Sequence, residues 1–216
     1  MNYLTDPKEI ERRSFEIIGR HIDESRFDKD ELAIVKRVIH TTADFDFVDA
    51  IEISKDAIRT GIAALEEKCT IVTDTRMAEA GINKKALKAF GANVVCYIDT
   101  PQAEKMSRDL NITRAMASMI IASANDANKI FAIGNAPTAL FKLCDLVESK
   151  MAKPYLIIGV PVGFVGAKEA KERIKMFGLP YIITAGRKGG STVAAAVINA
   201  LICLAAGQIR QGKSSR

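Results

Sequence analysis

Tryptophan is absent from the 216 residues, tyrosine occurs four times, and aromatics together make up 6% of the chain. These few rings do not interleave with basic residues, as they do where single-stranded nucleic acid stacks. The net charge of +5 is misleading. Arg210, Lys213 and Arg216, in a tail without acids, supply three of those charges, and the remaining +2 is too little for a nucleic-acid footprint. Cys69, Cys96, Cys144 and Cys203 stand far apart, with no CxxC and no Cys/His cluster. Neither a zinc site nor a redox pair is indicated, and the thiols read as small buried apolar residues kept reduced in a cytosol. No cationic start followed by an apolar run opens the chain, which argues against a signal peptide. The longest apolar stretch, about fourteen residues from Val193 to Ala206 with Asn199 inside it, is short for a bilayer and suits a buried helix. A cytoplasmic protein with no nucleic-acid or membrane partner is expected. Phosphate loops are missing too: GxxxxGK[ST] does not occur, and GxGxxG never follows a strand.

What is present is alternation. Asp6-Pro7 opens a first helix, Asp28 caps a second over Glu31 to His40, and Ser54 is placed to cap a third carrying Ile58, Ile62 and Leu65. Five short, continuous, β-branched runs follow: Cys69–Thr73, Ala92–Ile98, Lys129–Ile133, Tyr155–Val160 and Tyr181–Thr184. Continuous rather than alternating apolar runs suit strands covered on both faces. Amphipathic helices are predicted near Lys84–Phe90, Pro101–Ser123, Pro137–Lys150 and Lys168–Phe177, and a last one after Ser191. The alternation implies a parallel sheet between helical layers in one domain, residues 1–209, with 210–216 a basic, disordered tail.

The chemistry concentrates in Arg37-Val38-Ile39-His40-Thr41-Thr42-Ala43-Asp44-Phe45-Asp46-Phe47. Three residues apart on a helix is one face, so Arg37 and His40 can enter one pocket. A histidine can lend and recover a proton near neutral pH without a cofactor, whereas a plain helix cap is the alternative use of such a residue. His21, at the end of the first helix, reads as a cap. The predicted strand ends carry Gly, Pro and polar residues, where ligands of open α/β sheets collect. Arg76 and Arg114 are candidate carboxylate clamps through their bidentate forks. Asn135, in Gly134-Asn135-Ala136-Pro137-Thr138, can aim its amide at a ligand or cap a helix, and Lys188, in Gly186–Ser191, can hold an anion beside a helix N-terminus.

Taken together, these segments resemble the precorrin-8X methylmutase family, over nearly the whole chain up to about residue 207. The resemblance rests on Glu11-Arg12-Arg13-Ser14-Phe15, the Arg37–Phe45 stretch, Thr73-Asp74-Thr75-Arg76-Met77, Gly134–Leu140, Gly159–Val165 and Lys188-Gly189-Gly190-Ser191. It implies a flavodoxin-like three-layer α/β/α sandwich with a five-stranded, mainly parallel sheet and an N-terminal helical segment. It further implies a homodimer and isomerisation of a corrin precursor without an added cofactor. The reaction it implies moves one methyl group from C-11 to C-12, as a suprafacial [1,5]-sigmatropic shift. His40 would be the proton donor and acceptor at the ring C nitrogen, with Ser14 and Arg37 contacting substrate. Two other functions stand beside this one. A tetrapyrrole carrier would bind without turnover. A methyltransferase would need an external donor, for which no glycine-rich motif follows the first strand.

Overall fold

The computed structural model describes residues 3–214, without the side chains of 209–214. Helices α1 (Pro7–His21) and α2 (Lys29–Thr42) lead into a short α3 (Phe47–Ala50) and strand β1 (Ile51–Ile53). Alternation then runs α4 (Ala57–Glu66), β2 (Thr70–Thr73), α5 (Arg76–Gly81), α6 (Lys84–Lys88), β3 (Asn93–Cys96), α7 (Pro101–Asp109), α8 (Arg114–Ser123) and β4 (Asn128–Ile133). It ends with α9 (Pro137–Glu148), β5 (Leu156–Gly159), α10 (Ala167–Ile174), β6 (Tyr181–Thr184) and α11 (Ser191–Ser214). The tail at 210–216, expected to be disordered, lies in and past the last turns of α11, outside the described side chains.

The sheet has six strands, in the order β1-β6-β5-β4-β2-β3, parallel except for β1. That corrects the expected five. β1 is an edge strand of three residues, with Glu52 between two isoleucines, and its register is set by Thr184, Ile183 and Ile182 far along the chain. Nothing local marks so short a segment as a strand.

Successive residues along each inner strand serve opposite layers, as the two-residue period of a strand requires. Ile71, Ile130, Leu156, Ile158 and Ile182 pack with α2, α4 and α11, while Val72, Phe131, Ile133, Ile157 and Ile183 pack with α8, α9 and α10. This is the three-layer sandwich. By length and composition the Ser191–Gln208 stretch of α11 could cross a membrane, but 61% of it is buried, and it lies against α2, α4 and α5 as a core helix.

Two local expectations are corrected. Ser54 does not cap α4; its hydroxyl oxygen accepts from the Tyr181 amide at 2.7 Å and so pins the start of β6. The predicted Pro101–Ser123 helix is two helices, broken at Asn111 (φ +50), after which Thr113 caps α8 through the Met116 amide. An Asn tolerates the left-handed conformation, and threonine is a good N-cap, so both signals lay in the sequence.

Candidate functional site

The chain reverses its strand order between β2 and β4, the place where open sheets usually leave a ligand crevice. Here the crevice is bridged from inside. Asp74, at the end of β2, is buried, and its carboxylate accepts from the amides of Gly134 (2.9 Å), Asn135 (2.8 Å) and Ala136 (2.7 Å). Burial pushes its carboxyl pKa up, and the amides pull it back. The protein's own anion thus fills the amide cluster that leads into α9.

The neighbouring loops are drawn in around it. The Thr75 and Ser191 hydroxyls lie 2.8 Å apart, and a Cβ on Gly134 would sit 2.7 Å from the Gly190 carbonyl oxygen. Gly190 donates to the Val160 carbonyl at 2.9 Å, and Gly163 to that of Arg187 at 3.1 Å. Gly189 (φ +155) passes so close that a Cβ there would lie 2.1 Å from the Val160 oxygen. Gly189→Ala is expected to cost about 1–3 kcal/mol through backbone strain, lowering the melting temperature by roughly 2–10 °C. An unchanged melting curve would contradict this packing.

His40 lies on the last turns of α2, whose Asp28 capping box starts it and whose left-handed Ala43 (φ +52) ends it. Its ring is exposed and meets Phe15 of α1 edge-on, with centroids 5.2 Å apart. The Arg37 guanidinium lies over that same Phe15 ring at 4.9 Å. The predicted shared face therefore exists, and its platform is Phe15, the last residue of the Glu11-Arg12-Arg13-Ser14-Phe15 stretch. Among the described residues no hydrogen bond engages the His40 imidazole, while Arg37 is held by Glu11 at 2.6 Å. Ser14, next to Phe15 and half-buried, donates to the Ile10 carbonyl at 2.8 Å and keeps its lone pairs. His21 caps as expected, its Nδ1 2.8 Å from the Ile17 carbonyl oxygen.

The other candidates are at the strand ends. The Lys188 ammonium sits 2.6 Å from both Asp44 and Asp46, just beyond the exit of α2, and those carboxylates hold its pKa above the usual lysine value. It joins the β6 loop to the helix that carries His40, and a substrate anion would compete with two carboxylates for it. Arg76 forks onto Asp99 at 2.5 Å and reaches Glu79, and Arg114 lies 3.7 Å from Glu104. Asp99 is held below the usual carboxylate range chiefly by its bond to Arg76 and also feels the charge of Arg114. Asn135 is exposed at the start of α9, where Thr138 meets Thr113 of α8 at 3.2 Å. The structure thus brings Arg37 and His40 onto one ring, while Arg76 and Arg114 hold separate carboxylates, Asp99 and Glu104.

Cavities follow the same division. One of about 730 Å³ is at the other end of α2, where Asp28, Asp30, Glu31, Asp56 and Glu66 outnumber Lys55 and Arg59, the wrong balance for a polyanion. A cavity of about 360 Å³ opens beside Phe15 and Arg37, with Lys29 and Lys36 on its rim and Leu32 and Leu204 in its floor. Among the described residues no cluster of His, Cys, Asp and Glu could hold a metal ion.

Fold and site together define a doubly wound α/β protein with an imidazole and a guanidinium on its helical layer, and the comparisons place it further. The model of the precorrin-8X methylmutase family matches residues 9–204, and the chain belongs to that family. It is 46% identical to the cobalt-precorrin-8 methylmutase of Salmonella typhimurium over 94% of this chain and 97% of that protein. The protein of that name from Leptospira interrogans is 42% identical, over 91% and 93%. The crystal structure of precorrin-8x methyl mutase from Thermus thermophilus matches with a TM-score of 0.85 and 36% identity, covering 92% of this chain and 98% of that one. Methylmutases are isomerases that move a methyl group within one molecule, and this chain is an enzyme of that class.

Proposed function

We propose that the chain catalyses the C-11 to C-12 methyl shift of a corrin precursor in cobalamin biosynthesis, with His40 lending a proton to the ring C nitrogen. The observation that carries this reading is the exposed, unengaged imidazole sharing the Phe15 ring with Arg37. Protonating that nitrogen withdraws electron density from the conjugated macrocycle and lowers the barrier to migration. After the shift the nitrogen returns the proton to His40, so no co-reactant is consumed. A placed general acid is worth about 10²–10⁴-fold in rate, and fixing the macrocycle's orientation adds to it. Ser14 and Arg37 would contact the substrate beside His40, and Arg76, Arg114, Asn135 and Lys188 would meet its acetate and propionate fringe.

The cobalt-containing macrocycle is the substrate we favour, a reading supported by the names of the Salmonella and Leptospira relatives. The test is an absorbance assay on purified protein with the metal-free and the cobalt macrocycle in turn and no methyl donor added. Conversion of the cobalt form is expected. Conversion only on adding a donor would overturn the isomerase reading, and conversion of the metal-free form alone would overturn the cobalt assignment.

A cytoplasmic setting is supported by four unpaired thiols, although Cys203 is exposed rather than buried as expected. A homodimer would cover Phe164 and Val165, which are 85% and 89% exposed on the β5 loop. Sedimentation is expected to give a dimer that Phe164→Asp dissociates. A monomeric wild-type chain would contradict it.

A further inference from the structure

One buried charge takes no part in the site described so far. Lys171 of α10 is fully buried, and its Nζ donates to the Thr184 hydroxyl oxygen at 3.1 Å and to the carbonyl oxygens of Gly186 (3.1 Å) and Lys188 (2.7 Å). Three donors thus meet three neutral acceptors, two of them backbone atoms of the loop after β6. The Thr184 hydroxyl in turn donates to the Lys188 carbonyl at 2.7 Å. The side chain of Lys188 runs on to Asp44 and Asp46, the residues that follow α2.

We propose that Lys171 is a positioning residue: its ammonium clamps the Gly186–Gly190 loop, so that Lys188, through Asp44 and Asp46, holds the α2 exit that carries His40. This inference rests on the reading of His40 as proton donor.

Burying a lysine without a carboxylate is costly, and an apolar side chain of similar length would fill the space at no such cost. What lysine adds is a fan of donors aimed at one loop. Other charges are turned elsewhere. On α10, Arg173 reaches Asp145 and Glu148 of α9, and Glu172 reaches Lys175, which also reaches Glu52 of β1. On the loop itself, Arg187 lies over Phe164, and Lys188 is taken by its two aspartates. Burial alone therefore sets the Lys171 amine, pulling its pKa down to about 8.

The test uses the full chain in the macrocycle assay, with Lys171→Met and Lys188→Met made singly and together. Each single variant is expected to lower kcat by about 10–100-fold, as misplacement of the acid does. KM should change little for Lys171→Met and rise for Lys188→Met, whose ammonium would also meet a substrate carboxylate. Because both act through one loop, the double variant is expected to be no slower than the worse single. Losses that multiply, or a Lys171→Met kcat within about twofold of wild type, would overturn the clamp. A second measurement needs no substitution and covers the case in which Lys171→Met does not fold. Losing a proton near pH 8 leaves the amine two donors instead of three. Hydrogen-exchange protection of the Gly190 and Gly163 amides is therefore expected to fall between about pH 7 and 9, while that of β4 holds. Unchanged protection would overturn the clamp. A wild-type chain that converts neither macrocycle would sink the functional reading instead, and the exchange result would still judge the clamp.

Discussion

His40→Ala is expected to lower the rate of macrocycle conversion by about 10²–10⁴-fold while leaving affinity for the pigment within about tenfold of wild type. The two halves of that result have separate causes. The proposed proton donor is lost, whereas the cationic and apolar surroundings proposed to receive a polycarboxylate macrocycle remain: Arg37 over Phe15, with Lys29 beside them. Because the imidazole is exposed, meets Phe15 edge-on and makes no hydrogen bond among the described residues, the melting temperature should move by no more than a few degrees. Kinetics and pigment titration on the same preparation check both halves. A variant that keeps its kcat would remove His40 from the chemistry. A wild-type chain that binds but never converts would leave a carrier.

Asp74→Ala is expected to have the largest effect on stability. Three amides at the start of α9 lose a charged acceptor at once, and the site is buried, so water cannot replace it fully. Hydrogen bonds to a charged group contribute about 1.5–3 kcal/mol each, and leaving buried donors unpaired adds to the loss. The Ala variant also sheds the cost of burying that carboxylate, which offsets part of the sum. The net destabilisation expected is about 3–5 kcal/mol, or roughly 6–20 °C in melting temperature for a domain of this size. Asp74→Asn should fall between Ala and wild type. Its amide keeps one acceptor oxygen, but it turns a donor toward Gly134 on one side or toward Asn135 and Ala136 on the other. Thermal melts of the two variants are the check, and an Ala variant as stable as wild type would mean the carboxylate does not hold the loop.

The central strands were legible because burial on both faces leaves β-branched runs that no helix period explains. β2, β4, β5 and β6 fall within a residue or so of the predicted runs. β1 was not legible, because three residues at a sheet edge carry no pattern and their partner strand is far away in sequence. The single helix read over 101–123 failed because its apolar spacing continues across Leu110-Asn111, and neither proline nor glycine marks the break.

For the site, spacing along one helix was enough to pair Arg37 with His40. It could not supply Phe15, since the register between α1 and α2 is a matter of packing. The same limit hid the partners of Lys188, which sit 144 and 142 residues away. Asp74 and Lys171 look in sequence like an ordinary turn residue and an ordinary surface lysine. Only the fold shows that one faces three amides and the other the underside of a loop.

The most direct test of the whole account is a crystal structure of the chain with its macrocycle bound. The account predicts a His40 ring nitrogen about 2.6–3.2 Å from the ring C nitrogen, with Arg37 still on Phe15 and turned to a substrate carboxylate. An imidazole facing solvent, with the macrocycle seated elsewhere, would contradict it.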